Sequence, residues 1–275
     1  MIKNPIDVWN IETFDEDLLS KLEIEKNLIH SYFTTDRKNF INRQASDRRD
    51  PQPTNPYASS FNFFVEHIIM PIMEKRSLRA WHYTRLTDAE VESLQQEGIR
   101  LSTLEMIKCR LEVLALEGIL SSENVSSLYA TSPFHEQGDI RSNRFWLTSH
   151  PLPVDDFGVV DLLKNWGGES ICFSLTEPKL VELVKNIGCP RVLEIEVPLN
   201  ATEHTFDAAE AVVAAFGRSL ECETDKQDFD LFSTRAFDLF STRALDPLAV
   251  LKIHSSGGSE FNGLARGYPQ GFKYE

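Results

Sequence analysis

The sequence predicts an α+β fold in which a mixed, mostly antiparallel sheet is surrounded by helices and preceded by a helical N-terminal extension. About six short strand-like segments lie between residues 79 and 255, separated by helical segments at irregular spacing. No G-x-G-x-x-G segment follows a strand and no Walker loop is present, which excludes a Rossmann or P-loop architecture. We therefore divide the chain into an extension over 1–76 and an α+β domain over 77–275.

The extension is predicted to contain two helices. Leucine and isoleucine residues recur at helical spacing between residues 15 and 33. A charged, proline-rich linker follows over 47–56, and an almost uniformly apolar segment over 61–75 predicts the second helix. Pro71 should kink or end that helix, because proline has no N–H to donate.

The clearest local signals in the chain surround residues 79–102. Residues 79–86 predict a strand that runs directly into a helix, and Thr87 with Glu90 has the spacing of a capping box. Gly98 is placed to end the helix, and residues 99–102 predict a second strand. The unit is thus strand, helix, strand, with a His-x-Thr segment at the end of its first strand.

The rest of the domain alternates between short helices and strands. The helices are predicted over 103–117, 121–130, 154–166, 176–187 and 207–216, with a glycine at the end of most of them. The strands are predicted over 144–148, 170–175, 191–198 and 248–254, with a polar loop over 131–143.

An octapeptide, Phe-Asp-Leu-Phe-Ser-Thr-Arg-Ala, occupies residues 229–236 and is repeated letter for letter over 237–244. Eight residues are too few for a solenoid unit. Because eight is an even number, a strand would keep the same faces in both copies. We expect one copy to form the strand and the other to extend it or loop out.

Composition limits the classes of partner. The net charge of −14 argues against a general nucleic-acid surface, although Arg141 and Arg144 leave a local basic groove open. No apolar run reaches the ~20 residues of a membrane span, and the N-terminus has no apolar signal core. The four scattered cysteines predict neither a zinc site nor a disulfide framework and indicate a reducing cytoplasm.

One segment carries a family resemblance. Trp81-His82-Tyr83-Thr84, followed by Gly98-Ile99-Arg100-Leu101, resembles the opening of ADP-ribosyltransferases of the diphtheria-toxin and poly-ADP-ribose-polymerase type. The same pattern is similar to bacterial toxins and anti-phage proteins of that fold. Residues 144–149 look like the family's next aromatic-bearing strand, residues 166–173 like the strand after it, and residues 240–247 like the closing segment.

The resemblance implies a split sheet and NAD as the donor substrate. Cleavage of the bond between nicotinamide and ribose passes through an oxocarbenium-like transition state, which needs a carboxylate, a group that fixes the sugar and an aromatic wall. The resemblance assigns His82 to the ribose hydroxyl, the Tyr83 backbone to the nicotinamide amide and Thr84 to pocket shape. The further NAD-contacting residues are the stacking aromatics Phe145, Trp146 or Phe157, together with Ser149.

The catalytic carboxylate is left open between several residues. The family usually has a glutamate near its closing segment, and Asp238 or its duplicate Asp230 occupies that place here. Asp238 is favoured because no second copy separates it from the closing segment. The other candidates are Glu194, Glu196 and Glu260.

The resulting expectation is an NAD-dependent ADP-ribosyltransferase of the cytoplasm, acting as a toxin–antitoxin or phage-defence effector. Its acceptor would be a protein or a nucleic acid, its protein partner an antitoxin or inhibitor, and no membrane would be involved. The alternative is a non-catalytic module that binds a nucleotide or a partner on the same fold.

Overall fold

A computed structural model describes residues 4–45, 53–221, 226, 236–265 and 268. The chain divides into two compact units. The first comprises residues 1–79, 198–238 and 267–275, and the second comprises residues 80–197 and 239–266. The helical extension therefore shares its unit with a segment from later in the chain.

The helices of the described residues are α1 (Glu16–Ile24), α2 (Lys26–Ala45), α3 (Ala58–Phe64), α4 (Met70–Met73), α5 (Asp88–Glu97), α6 (Leu104–Leu116), α7 (Ser122–Ala130), α8 (Phe134–Arg141), α9 (Val160–Lys164), α10 (Glu169–Cys172), α11 (Pro178–Lys185) and α12 (Thr205–Ser219). The strands are β1 (Ser77–Leu86), β2 (Phe145–Thr148), β3 (Cys189–Pro198), β4 (Asp238–Ser241) and β5 (Val250–Ser255). Within the described ranges, none of the helices combines the length and apolar character needed to cross a membrane.

The strands form one antiparallel sheet with the order β4-β2-β1-β3-β5. Trp81 on β1 lies opposite Thr148 on β2. On the other side, β3 pairs with β5 from Arg191 opposite Ser255 onward, with an irregularity between Glu194 and Ile195. The prediction of a mostly antiparallel sheet with surrounding helices is confirmed.

The first unit packs around α12, whose alanine and valine residues are almost all buried. The sequence predicts that Gly217 ends this helix, and that prediction is wrong because α12 continues to Ser219. A Cβ atom at Gly217 would lie 2.9 Å from Cδ2 of Phe33. Glycine at this position therefore allows the close approach of α2 rather than a helix end.

The apolar segment that follows the linker stays helical through Pro71. A π-helical turn, Val65–Ile69, joins α3 to α4, and Pro71 lies in the first turn of α4. The Met70 N–H donates to the Val65 carbonyl, five residues earlier. The helix therefore has π-helical, wider turns immediately before Pro71. The missing proline N–H consequently costs little here.

One predicted strand is a helix. Residues 170–175 contain β-favouring apolar residues, yet the first half of the segment belongs to α10 and a turn follows it. Ile171 and Leu175 are four residues apart, and both are buried in one cluster of helical side chains. Gly167 and Gly168, with φ of +77° and +51°, turn the chain so that a helix starts immediately.

Three other local predictions need correction. Residues 99–102 do not form a strand; they make isolated bridges from Ile99 to Leu245 and from Ser102 to Arg144. The predicted loop over 131–143 contains α8, and the helix predicted over 154–166 is reduced to α9. The pairing at 99–102 is limited to two isolated bridges, and in the other two segments the apolar pattern is too short to separate a helix from a turn.

The capping box that starts α5 is confirmed and extends into a larger network. The Glu90 carboxylate accepts hydrogen bonds from the Thr87 backbone at 2.9 Å and from Trp166 Nε1 at 2.9 Å. Arg110 Nε donates to it at 2.8 Å, and the Arg110 guanidinium lies 4.6 Å from the centroid of the Trp166 ring. Glu90 thus joins the helix start to the buried helical cluster of the second unit.

Candidate functional site

Strand β1 presents the predicted site residues on alternating sides, as every strand does. Trp81 and Tyr83 are buried in one apolar cluster with Val192 of β3. His82 and Thr84 therefore project from the opposite side of the strand. Strand β1 reaches Leu86, as predicted, so the placement of His82 at the strand end is wrong and His82 lies within the strand.

The Tyr83 side chain has a structural role. Its hydroxyl donates to the Leu152 carbonyl at 2.9 Å and accepts from the Leu152 N–H at 2.5 Å. Burial raises the pKa of the phenol above its usual value, and the bond to Leu152 opposes that shift. The phenol is therefore uncharged and fixes the segment after β2.

His82 lies where β1 and β2 meet. Its Nδ1 atom is 2.8 Å from the Trp146 carbonyl oxygen, and its ring centroid is 4.4 Å from that of Phe145. Nδ1 must carry the proton, because a carbonyl oxygen can only accept. The His82 imidazole thus donates a hydrogen bond to a backbone carbonyl of β2. This carbonyl belongs to Trp146, two residues before Thr148, which lies opposite Trp81.

The ring is neutral at physiological pH. Burial lowers the pKa of His82 from 6.5 to about 4, a smaller effect in the same direction comes from the charge of Arg110, and the bond to Trp146 opposes both. In the neutral ring with the proton on Nδ1, Nε2 carries a lone pair. Nε2 makes no hydrogen bond within the described residues and can accept one from a hydroxyl group.

This protonation behaviour predicts acid sensitivity. Burial also lowers the pKa of His150 to about 4. Both histidines bind protons in the unfolded chain below about pH 6.5, whereas the folded chain resists protonation until about pH 4, so stability should fall as pH is lowered through that window. We expect the urea midpoint to decrease between pH 7 and pH 5.

The His82→Asn variant isolates the contribution of His82. Asparagine can still donate to the Trp146 carbonyl but does not titrate. Its urea midpoint should therefore change less between pH 7 and pH 5 than that of the wild type. An identical pH dependence in the two proteins would show that His82 titrates normally in the fold.

The predicted aromatic residues lie in different surroundings. Phe145 is buried against His82, whereas the Trp146 side chain is 43% exposed and lies 4.9 Å, centroid to centroid, from Phe240 of β4. Phe157 is 79% exposed, and Ser149 and Thr84 are buried. The structure therefore brings His82 together with the Phe145 ring and the Trp146 carbonyl, but not with the Trp146 ring.

The candidate carboxylates are dispersed. Asp238 is exposed at the start of β4, and partial desolvation raises the pKa of its carboxyl. It projects from β4 on the same side as Phe240, since side chains alternate along a strand. Asp230 lies outside the described residues, as does most of the first octapeptide copy; the second copy supplies β4.

The remaining carboxylates belong to β3 and the segment after β5. Glu194 is buried and its Oε1 is 2.6 Å from Nε2 of His254. Glu260 lies 2.5 Å from Nζ of Lys252, and this hydrogen bond lowers the pKa of its carboxyl. Glu196 is half-buried. A catalytic role for Glu194, Glu196 or Glu260 stays a prediction.

Two residues near the predicted set were missed from the sequence. Arg110 affects the pKa of His82, and His254 forms the buried pair with Glu194. Neither belongs to a motif. The signal for His254 is its place in the last predicted strand. A histidine that is buried in a strand needs a hydrogen-bonding partner on a neighbouring strand.

A comparison of the chain with protein-family models, curated proteins and solved structures finds no match. Among the described residues, no three histidine, cysteine, aspartate or glutamate side chains are grouped so that they could hold a metal ion. The chemistry of the site is therefore inferred from the geometry around His82.

Proposed function

We propose that the chain is an NAD-dependent ADP-ribosyltransferase, with His82 as the residue that fixes the donor. The observation that carries the proposal is the fixed, neutral imidazole of His82 beside the Phe145 ring. Its orientation is set by a bond to the Trp146 backbone, and its second nitrogen is an acceptor. The resemblance of the segment around His82 to ADP-ribosyltransferases supports the same role.

The residues of the site divide the work of cleaving a glycosidic bond. NAD supplies a bond between ribose and a good leaving group, and its cleavage develops positive charge on the sugar. His82 Nε2 would accept a hydrogen bond from a ribose hydroxyl and hold the sugar. Phe145 would provide an apolar wall, and the Tyr83 backbone would bond the nicotinamide amide. The charge on the sugar needs a carboxylate, and of the two predicted ones, Asp230 and Asp238, Asp238 projects from the side of the sheet that carries Phe240 and Trp146, opposite to His82.

The surroundings of His82 also favour a second candidate, a non-catalytic module that binds a nucleotide or a partner. Within the described residues, His82 hydrogen-bonds a backbone carbonyl and no carboxylate. Glu194 and Glu260, which could have supplied the acid, are engaged with His254 and Lys252. A site that binds NAD but lacks the acid would hold the nucleotide without cleaving it.

The test is incubation of the purified chain with labelled NAD, mixed protein and nucleic-acid acceptors, and the His82→Ala variant. We expect nicotinamide release and label transfer by the wild type, and a rate roughly 100-fold lower in the variant, because a misplaced sugar loses its reactive geometry. His67→Ala is the matched control, since His67 is exposed in the first unit and should keep the wild-type rate.

Two results separate the candidates. Turnover that persists in His82→Ala would contradict the assignment of His82. Calorimetric binding of NAD that is lost in His82→Ala, without any turnover by the wild type, would favour the binding module.

A further inference from the structure

The second unit carries a cluster of one cation and two aromatic rings, of which Trp146 is exposed, Arg144 is half-buried and Phe240 is buried. The Arg144 guanidinium carbon lies 4.5 Å from the ring centroid of Phe240 and 6.0 Å from that of Trp146. Arg144 Nη1 donates to the Ile140 carbonyl at 2.7 Å, which fixes the position of the guanidinium. We call Arg144, Trp146 and Phe240 the arginine–tryptophan platform.

The platform contains one charged group, the Arg144 guanidinium. Within the described residues, no carboxylate forms an ion pair with Arg144. A guanidinium on an aromatic face keeps its positive charge and adds a cation–π contact. In a chain with a net charge of −14, an uncompensated arginine beside a 43% exposed tryptophan is an unusual surface feature.

A second arginine–aromatic pair is close in sequence. Arg141 lies 4.7 Å from the ring centroid of Phe173, which is 57% exposed. Unlike Arg144, Arg141 is paired with Glu169 at 3.0 Å. The pair therefore adds a flat apolar surface but little net charge, and Arg144 is the cation available to a ligand.

The platform is physically connected to the His82 site. The Trp146 carbonyl holds the His82 imidazole, while the Trp146 ring belongs to the platform. Successive side chains of β2 therefore serve the two surfaces, with Phe145 at His82 and Trp146 at the platform. Because these two side chains project from opposite sides of the strand, a ligand on the platform would lie on the other side of the sheet from His82.

The chemistry of the platform fits a nucleobase of a single-stranded nucleic acid. An exposed indole offers a π-face to any base, and each stacked base contributes about 1–3 kcal/mol. The guanidinium can contact the base or a backbone phosphate. A protein acceptor is less suited, because interfaces of proteins use buried anchors surrounded by a wider apolar patch.

We propose that the arginine–tryptophan platform binds an unpaired nucleobase of a single-stranded nucleic acid. This binding does not rest on the proposed function. Because Arg144 is the main cation, binding should be weak and only slightly salt-dependent, with about one counterion released for each phosphate contacted.

The test is titration of the full chain, without NAD, with single-stranded DNA and RNA decamers. Trp81 and Trp166 are buried and Trp9 is half-buried in the first unit, so quenching of the exposed Trp146 should dominate the fluorescence change. We expect the affinity, measured by anisotropy of labelled oligonucleotide, to fall about tenfold in Trp146→Ala and in Arg144→Gln, as expected for the loss of one stacked base.

The controls separate stacking from misfolding and from catalysis. Trp146→Phe retains a ring and should restore most of the affinity, while Phe157→Ala removes a more exposed aromatic and should change nothing. His67→Ala changes an exposed residue of the first unit and should bind oligonucleotide like the wild type. Absence of binding by the wild type, or equal binding by Trp146→Ala, would overturn the proposal.

One outcome distinguishes this proposal from the proposed function. Transfer of ADP-ribose to protein, with no binding of either decamer, would refute the platform and leave the transferase assignment standing. Oligonucleotide binding through Trp146 without NAD turnover would support the platform and count against the transferase.

Discussion

The His254→Ala variant is expected to lose about 3 kcal/mol of unfolding free energy or more, because it takes the imidazole partner from a buried carboxylate. Glu194 and His254 are 5% and 7% exposed, and their atoms are 2.6 Å apart. Chemical denaturation followed by circular dichroism measures the change. The pair joins β3 to β5, so its loss should destabilise that edge of the sheet.

Two matched variants test the cause of this effect. Glu196→Ala removes a half-buried carboxylate from the same strand and should change stability by less than about 1 kcal/mol. Replacing both Glu194 and His254 by leucine should restore most of the stability, since no buried charge remains. A loss below about 1 kcal/mol in His254→Ala would show that the site is well solvated.

Gly98→Ala is expected to cost roughly 3 kcal/mol, through backbone strain and a direct clash. Gly98 has φ +80° and ψ −162°, a conformation that essentially only glycine adopts. A Cβ atom there would lie 2.1 Å from the Leu245 carbonyl oxygen. That carbonyl accepts the Ile99 N–H at 2.8 Å, so the clash should also break the bridge.

Gly118→Ala provides the comparison. Gly118 also has a positive φ, +74°, but a Cβ atom there would meet nothing within 4 Å. The unfolding free energy of this variant should fall by about 1 kcal/mol, because only the left-handed backbone is strained. Equal losses of urea stability in the two variants would show that the contact with Leu245 is unimportant.

The parts of the fold that could be predicted are those with local signals. The capping box of Thr87 and Glu90 and the glycine that ends α5 depend on neighbours within a few residues. Strand β1 and helix α12 have long, regular patterns. In contrast, residues 170–175 contain strand-forming side chains whose helix is selected by burial against distant helices.

The site was predictable only in part, for a related reason. Strand alternation explains why Trp146 and Phe145 serve different surfaces, but the register that sets those surfaces comes from pairing with β1 and β4. The Glu194–His254 pair joins residues far apart in the chain. The hydrophobic pattern of the sequence does not predict such a contact, because the contact depends on which strands become neighbours in the sheet.

In strand β1, residues that hold the fold alternate with residues that face the proposed site. Residues 81 and 83 hold the apolar cluster and the Leu152 backbone, so any substitution there affects folding. His82 and Thr84 lie between them and face the other side. In related chains that lack the proposed activity, substitutions should accumulate at positions 82 and 84, whereas residues 81 and 83 should be kept.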